Sequence, residues 1–172
     1  KTLALVLALT LLVAGVVGGT LAWLTDQTAE VKNTFTVGDI NIGLTETTTD
    51  YKMVPGNTIA KDPTVTVKAN SEACWLFVKV TESANLDDFI TYAIATGWTE
   101  LEAGVYYREV PASAADQTFS VLAGDAVTVK SDVTRAMLET AKTDAPTLTF
   151  KAYAIQKDHF ATADAAWAEV SK

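Results

Sequence analysis

Apolar and polar side chains alternate along much of this chain, and the alternation predicts strands rather than helices. Between Thr28 and Val37, Ala29, Val31, Phe35 and Val37 fall on one face, interrupted by Asn33. Thr28, Glu30, Lys32, Thr34 and Thr36 fall on the other. The phase flips after Gly38, where Ile40, Ile42 and Leu44 become the apolar set, so a bend between two strand segments is expected there. A threonine-rich polar loop over 45–53 and a Pro55-Gly56-Asn57 turn follow. Pro63–Lys68 alternates again and breaks at Asn70-Ser71. Trp75–Val80 is dense enough in apolar residues to be buried on both faces. Short strands are predicted around Leu101 and Val105–Tyr107, bracketed by glycines. Gln117–Leu122 and Ala126–Val129 look like a hairpin joined by Ala123-Gly124-Asp125. Thr147–Ile155 places Leu148, Phe150, Ala152 and Ala154 on one side. Helical spacing appears over 132–142, with Asp132 as cap, and over 161–170, where Phe160, Ala163, Trp167 and Val170 form a stripe. The expected fold class is all-β: a jelly-roll β-sandwich with short inserted helices.

The first two dozen residues follow a different pattern. No charge occurs between Thr2 and Thr25. A leucine- and valine-rich run leads through Gly15, Gly18 and Gly19 to the small-x-small sequence Thr20-Leu21-Ala22. A charged start, an apolar run and such an exit are the layout of a secretory signal segment cleaved between Ala22 and Trp23. If retained, it is long enough to anchor the chain in a bilayer as an apolar helix. The expected organisation is a signal peptide (1–22), a free N-terminal strand segment (23–37) and a sandwich domain (38–172).

Composition narrows the function classes. The chain has 172 residues and a formal net charge of −8, which opposes binding to nucleic acid and to anionic lipid, so membrane contact is expected only through the N-terminal segment before cleavage. Cys74 is alone, in an apolar setting that suits a buried structural thiol. His159 is the single histidine, so a Ser-His-Asp triad or a zinc site has almost nothing to build on. No nucleophile elbow, zinc-binding helix motif, EF-hand loop or phosphate loop occurs, and Asp87-Asp88 reads as a solvated pair. The chain is therefore expected not to be an enzyme, with no catalytic, metal or cofactor residues. The aromatics Trp75, Phe77, Trp98, Tyr106 and Tyr107 could stack on sugars, which keeps a surface-displayed carbohydrate- or ligand-binding module as the alternative; core packing is the simpler reading.

Two blocks carry a family resemblance. Gly18-Gly19-Thr20-Leu21-Ala22-Trp23-Leu24-Thr25-Asp26, with Asn33–Ile42 after it, resembles the TasA/camelysin family of secreted proteins of Gram-positive bacteria. Val54-Pro55-Gly56, Lys61–Val67 and Phe150–Asp158 are similar to later blocks of that family. The resemblance implies export with processing by a SipW-type signal peptidase. It also implies a jelly-roll subunit that forms biofilm-matrix or cell-surface fibres as a homopolymer, each copy's leading strand completing the sheet of its neighbour. Here that strand would be Trp23–Val37, docking through Ala29, Val31, Phe35 and Val37. A metallopeptidase activity, also ascribed to camelysin, finds no supporting ligands in this sequence.

Overall fold

The computed structural model describes residues 39–48 and 51–172, all within the unit running from Val37 to Lys172. The predicted signal segment, with Thr20, Ala22 and Trp23, and the alternating strand, with Ala29, Val31, Phe35 and Val37, lie outside the described residues.

The described fold is mostly antiparallel β-sheet with a few short helices. Ten strands occur: β1 (Ile42–Thr45), β2 (Thr58–Ala60), β3 (Thr64–Val67), β4 (Cys74–Glu82), β5 (Ile90–Thr91), β6 (Thr99–Glu102), β7 (Val105–Val110), β8 (Gln117–Ser120), β9 (Ala126–Val129) and β10 (Leu148–Gln156). The helices are α1 (Leu86–Phe89), α2 (Arg135–Thr140) and α3 (Ala163–Val170). Three sheets form, in the orders β1-β3-β8, β2-β9-β5 and β10-β4-β7-β6.

Backbone bonds join the first two sheets across their breaks. Lys61 N donates to Asp125 O at 2.7 Å, Val121 N to Pro63 O at 2.9 Å, and Ala95 N to Val121 O at 2.9 Å. β2 and β3 are thus one bent strand, 58–67, lying beside another, 117–129, and the two three-stranded sheets act as one kinked sheet. This sheet faces the four-stranded one.

β4 is buried on both faces, as its apolar density predicts. Cys74, Leu76, Val78 and Val80 point into the space between the sheets with Val65, Val67, Val110 and Val121. Trp75 and Phe77 point outward and pack under α3 against Ala163, Ala166 and Trp167. A third cluster, with Leu86, Phe89, Leu122, Val127, Val129 and Val133, closes the end where α1 and α2 sit.

Three expectations are corrected. Gln117–Leu122 and Ala126–Val129 do not form a hairpin: β8 pairs with β3, whereas β9 pairs with β2 and β5. The Ala123–Asp125 segment is a tight 3-10 turn, with Gly124 at φ 66°, that kinks the strand instead of reversing it. The helix expected over 132–142 is only Arg135–Thr140 and is capped by Thr134, whose hydroxyl accepts from Met137 N at 3.3 Å, rather than by Asp132. Leu44 does not join Ile40 and Ile42 on the core but is 36 % exposed at the rim of a groove.

Candidate functional site: an open sheet edge and its groove

Sheet edges expose unpaired backbone groups, so the two edges of the four-stranded sheet matter most for recognition. β6 is a protected edge. It is four residues long, carries exposed Glu100 and Glu102, and is bulged between them. β10 is the opposite: nine residues in unbroken register with β4, from Leu148↔Glu82 to Gln156↔Cys74.

The direction of the β10 backbone groups follows from its flanking bonds. Ser83 N donates to Thr147 O at 2.9 Å, and Lys157 N to Ala73 O at 2.9 Å. Antiparallel pairs alternate between bonded and non-bonded, so Thr149, Lys151, Tyr153 and Ile155 bond β4. The N–H and C=O groups of Leu148, Phe150, Ala152, Ala154 and Gln156 therefore point to the free edge. Among the described residues nothing pairs with them. The side chains of Leu148, Phe150, Ala152 and Ala154 face the interior.

Beside the first half of β10 runs a groove of two connected parts, of about 530 and about 400 Å³, which share Lys61, Leu148 and Thr149. The larger part has an apolar floor of Met53, Ile59, Leu86, Ile90, Val127 and Ala141. The smaller is rimmed by Leu44, Thr45 and Glu46 of the β1 end and by Phe150.

The walls are mixed: Thr45, Thr147 and Thr149 line them, and a charged cluster centred on Lys61 stands where the two parts meet. Lys61, 8 % exposed, pairs with Glu46 at 2.5 Å. Its ammonium sits 4.8 Å from the Tyr51 ring centroid and 5.5 Å from that of Phe150. The Tyr51 hydroxyl donates to Glu46 Oε1 at 2.6 Å. Burial, and then that bond, push the Tyr51 hydroxyl well above the usual phenol range.

The residues weighed for chemistry are scattered. Cys74 is fully buried between the sheets, and burial raises its thiol to about 11. His159 is exposed on a 3-10 turn, Lys157–His159, and Asp87 and Asp88 lie in the first turn of α1. Among the described residues no three His, Cys, Asp or Glu side chains gather where they could hold a metal. The aromatics serve packing. Trp75 meets Tyr107 edge-on at 5.8 Å, and Phe77 and Tyr153 pack on Trp167 at 5.3 and 5.2 Å, beneath α3. Trp98 donates to Ser120 O at 2.9 Å and, with Phe119, holds the Arg108 guanidinium, whose burial lowers its pKa.

The open edge and the groove are absent from the sequence expectations, which put the docking residues on the leading segment and none on the surface that would receive it. A signal existed: Ile59, Lys61, Pro63, Val65 and Val67 share one parity, placing Lys61 on the inward face of a long strand. Among the described residues no helix is long and apolar enough to cross a membrane. No protein-family model, curated protein or solved structure matches the chain.

Proposed function

We propose that this chain is a structural, non-enzymatic subunit of an extracellular or cell-surface fibre. It is exported by a signal segment cleaved after Ala22 and polymerises by donating its leading strand, Trp23–Val37, to the sheet of the next copy. The observation that carries the reading is the β10 edge: long, regular, and flanked by a groove with apolar residues on its floor, while the opposite edge is short, bulged and acidic. An added strand would satisfy five outward-facing N–H and five C=O groups on β10 and bury its apolar side chains in the groove. A donor and an acceptor on different parts of one chain make a heterologous contact, which propagates into filaments instead of closing.

The fold reading that accompanies this is a jelly roll. Its support is two facing antiparallel sheets between which the chain crosses from β3 to β4, β4 to β5, β5 to β6, β7 to β8 and β9 to β10. The family resemblance of residues 18–42 agrees with both proposals. Val31→Asp with Phe35→Asp should leave a folded monomer and abolish filaments in electron micrographs; normal fibres from that variant refute the reading. Mass spectrometry of exported protein that still begins at Lys1 refutes the cleavage.

A further inference from the structure

We infer that Arg108 is the receptor of a carboxylate-binding site on the flank of the sandwich between β6 and β8, and that its ligand is a small monocarboxylate. The site is independent of the fibre reading and stands or falls without it.

Arg108 stands on the inward side of β7, alternating with Tyr106 and Val110. Phe119 of the facing sheet stacks on its guanidinium at 3.9 Å, and Trp98, just before β6, flanks it at 5.3 Å. The Trp98 indole is itself fixed by its bond to Ser120 O, so the cation is held between positioned rings. Rings cover the faces of a guanidinium but not its rim, where five N–H donors need acceptors in the plane. The described residues supply none at Nε, which is wholly buried without a hydrogen-bond partner. Ion pairs among those residues use Lys61, Lys68, Lys142, Lys157 and Lys172, and Arg108 belongs to none of them.

A plug between two rings needs no charge. Methionine would fill the space without leaving donors unpaired, and burying a cation with no acceptor is unfavourable. Burial accordingly lowers the Arg108 pKa, and no neighbouring carboxylate offsets it. Such a charge turns favourable when an anion arrives, and the guanidinium fork matches the two oxygens of a carboxylate. Residue 97 leaves the approach open. A Cβ there would lie 3.1 Å from Nη2 and 3.6 Å from Nη1, so any side chain would cover the terminal nitrogens; glycine leaves them to a ligand. The carboxylate takes Nη2, the nitrogen nearest that opening, together with one of its neighbours. Net charge narrows the class further. A chain at −8 repels polyanions at long range, which favours a compact single carboxylate over an acidic polymer.

The test is thermal unfolding of the full exported chain in about 0.1 M sodium acetate, against sodium chloride and acetamide at the same concentration. Acetate is also a general stabiliser, so the quantity read is its effect in the unsubstituted chain beyond its effect in Arg108→Met. That excess should be about 2–5 °C in Tm, with none for acetamide. Arg108→Met keeps an unbranched stem between the rings and should unfold in chloride at the same temperature or higher, since it removes an unpaired buried charge. Arg108→Lys keeps the charge without the fork and should weaken acetate binding about ten-fold. An acetate effect of equal size in Arg108→Met, or an equal effect of acetamide, overturns the site. A Tm for Arg108→Met in chloride well below that of the unsubstituted chain makes the guanidinium a structural plug and overturns it as well.

Discussion

Proline substitution at neighbouring positions of β10 separates folding from assembly. Lys151 and Ala152 are adjacent, but their N–H groups point to opposite sides: Lys151 bonds β4 opposite Lys79, and Ala152 faces the free edge. Proline removes one N–H and fixes φ near a value that a strand tolerates at an edge. Ala152→Pro therefore costs the isolated domain little, because among the described residues no backbone group accepts from the lost donor. Against a docked strand it is severe. One central bond disappears, an opposing carbonyl is left unpaired, and the ring projects into the space where the partner backbone must lie. An unsatisfied group of this kind costs about 1–3 kcal/mol, which is about 5- to 150-fold in the subunit association constant before the steric clash is counted.

Lys151→Pro acts in the other direction. Its side chain is exposed and, among the described residues, meets only the Tyr153 ring, 4.9 Å from its ammonium, so the main effect is on the backbone, where the change breaks a ladder bond inside the sheet and strands a carbonyl of β4. A cost of about 1–3 kcal/mol lowers Tm by roughly 3–10 °C in a domain of this size. Thermal unfolding followed by circular dichroism reads the first property, and sedimentation velocity reads the second. The expected pattern is Ala152→Pro folded and monomeric, Lys151→Pro destabilised. If Ala152→Pro assembles as well as the unsubstituted chain, the β10 edge is not the acceptor.

Trp167 is 8 % exposed, stacks on Phe77 and Tyr153, and donates to Glu102 Oε1 at 2.8 Å; Trp167→Ala should cost about 3–5 kcal/mol by chemical denaturation. Gly104 has φ 74°, and a Cβ there would sit 2.7 Å from Val80 O, so Gly104→Ala should destabilise by about 1–3 kcal/mol in the same assay. Cys74 should resist a thiol reagent at pH 8 in the native protein and react on unfolding; rapid native labelling would show that the sandwich opens. Asp116 accepts from Ala69 N at 2.8 Å and pairs with Lys68, which lowers its pKa below the ordinary carboxylate value. A depressed native pKa stabilises above the unfolded value, near 3.9, and the contribution is lost as pH falls through the native one. Asp116→Asn should therefore flatten the decline in Tm below about pH 4 and leave the midpoint less affected there than at pH 7.

Strand positions were legible wherever burial imposes a period. Val65 and Val67, the two faces of β4, and the inward set of β10 all follow from parity, because each side chain's environment is fixed by its own strand. Pairing was not legible. Ala123-Gly124-Asp125 has hairpin composition, yet Gly124 uses its left-handed φ to kink a continuing strand, since Val121 and Leu122 on one side and Val127 and Val129 on the other are already claimed by the same interior. β2 and β5, three and two residues long, and α1, one turn, are too short to carry a period. The groove was hidden because it is assembled from five distant stretches, 44–46, 51–63, 86–90, 127 and 141–150, none distinctive by itself.

An open edge such as β10 has a rival occupant in another β10. Two copies paired about a two-fold axis at Ala152 would align Leu148 with Gln156 and Phe150 with Ala154, using the same outward-facing backbone groups. That arrangement leaves the floor of Ile59, Ile90 and Val127 in the hollow of about 530 Å³ uncovered, and it closes at the dimer. On the proposed reading, a donated leading strand would use the same backbone groups and bring Phe35, Val31 and Ala29 with it. Backbone pairing alone does not discriminate between the two, because every strand offers it. The discrimination has to come from side chains. Like charge weighs against both modes, since copies cleaved after Ala22 lose Lys1 from a chain of net charge −8, so carry −9, and repel. The mode that prevails must therefore be the one that buries more apolar surface per contact, which is what the proposed fibre requires of a donated strand.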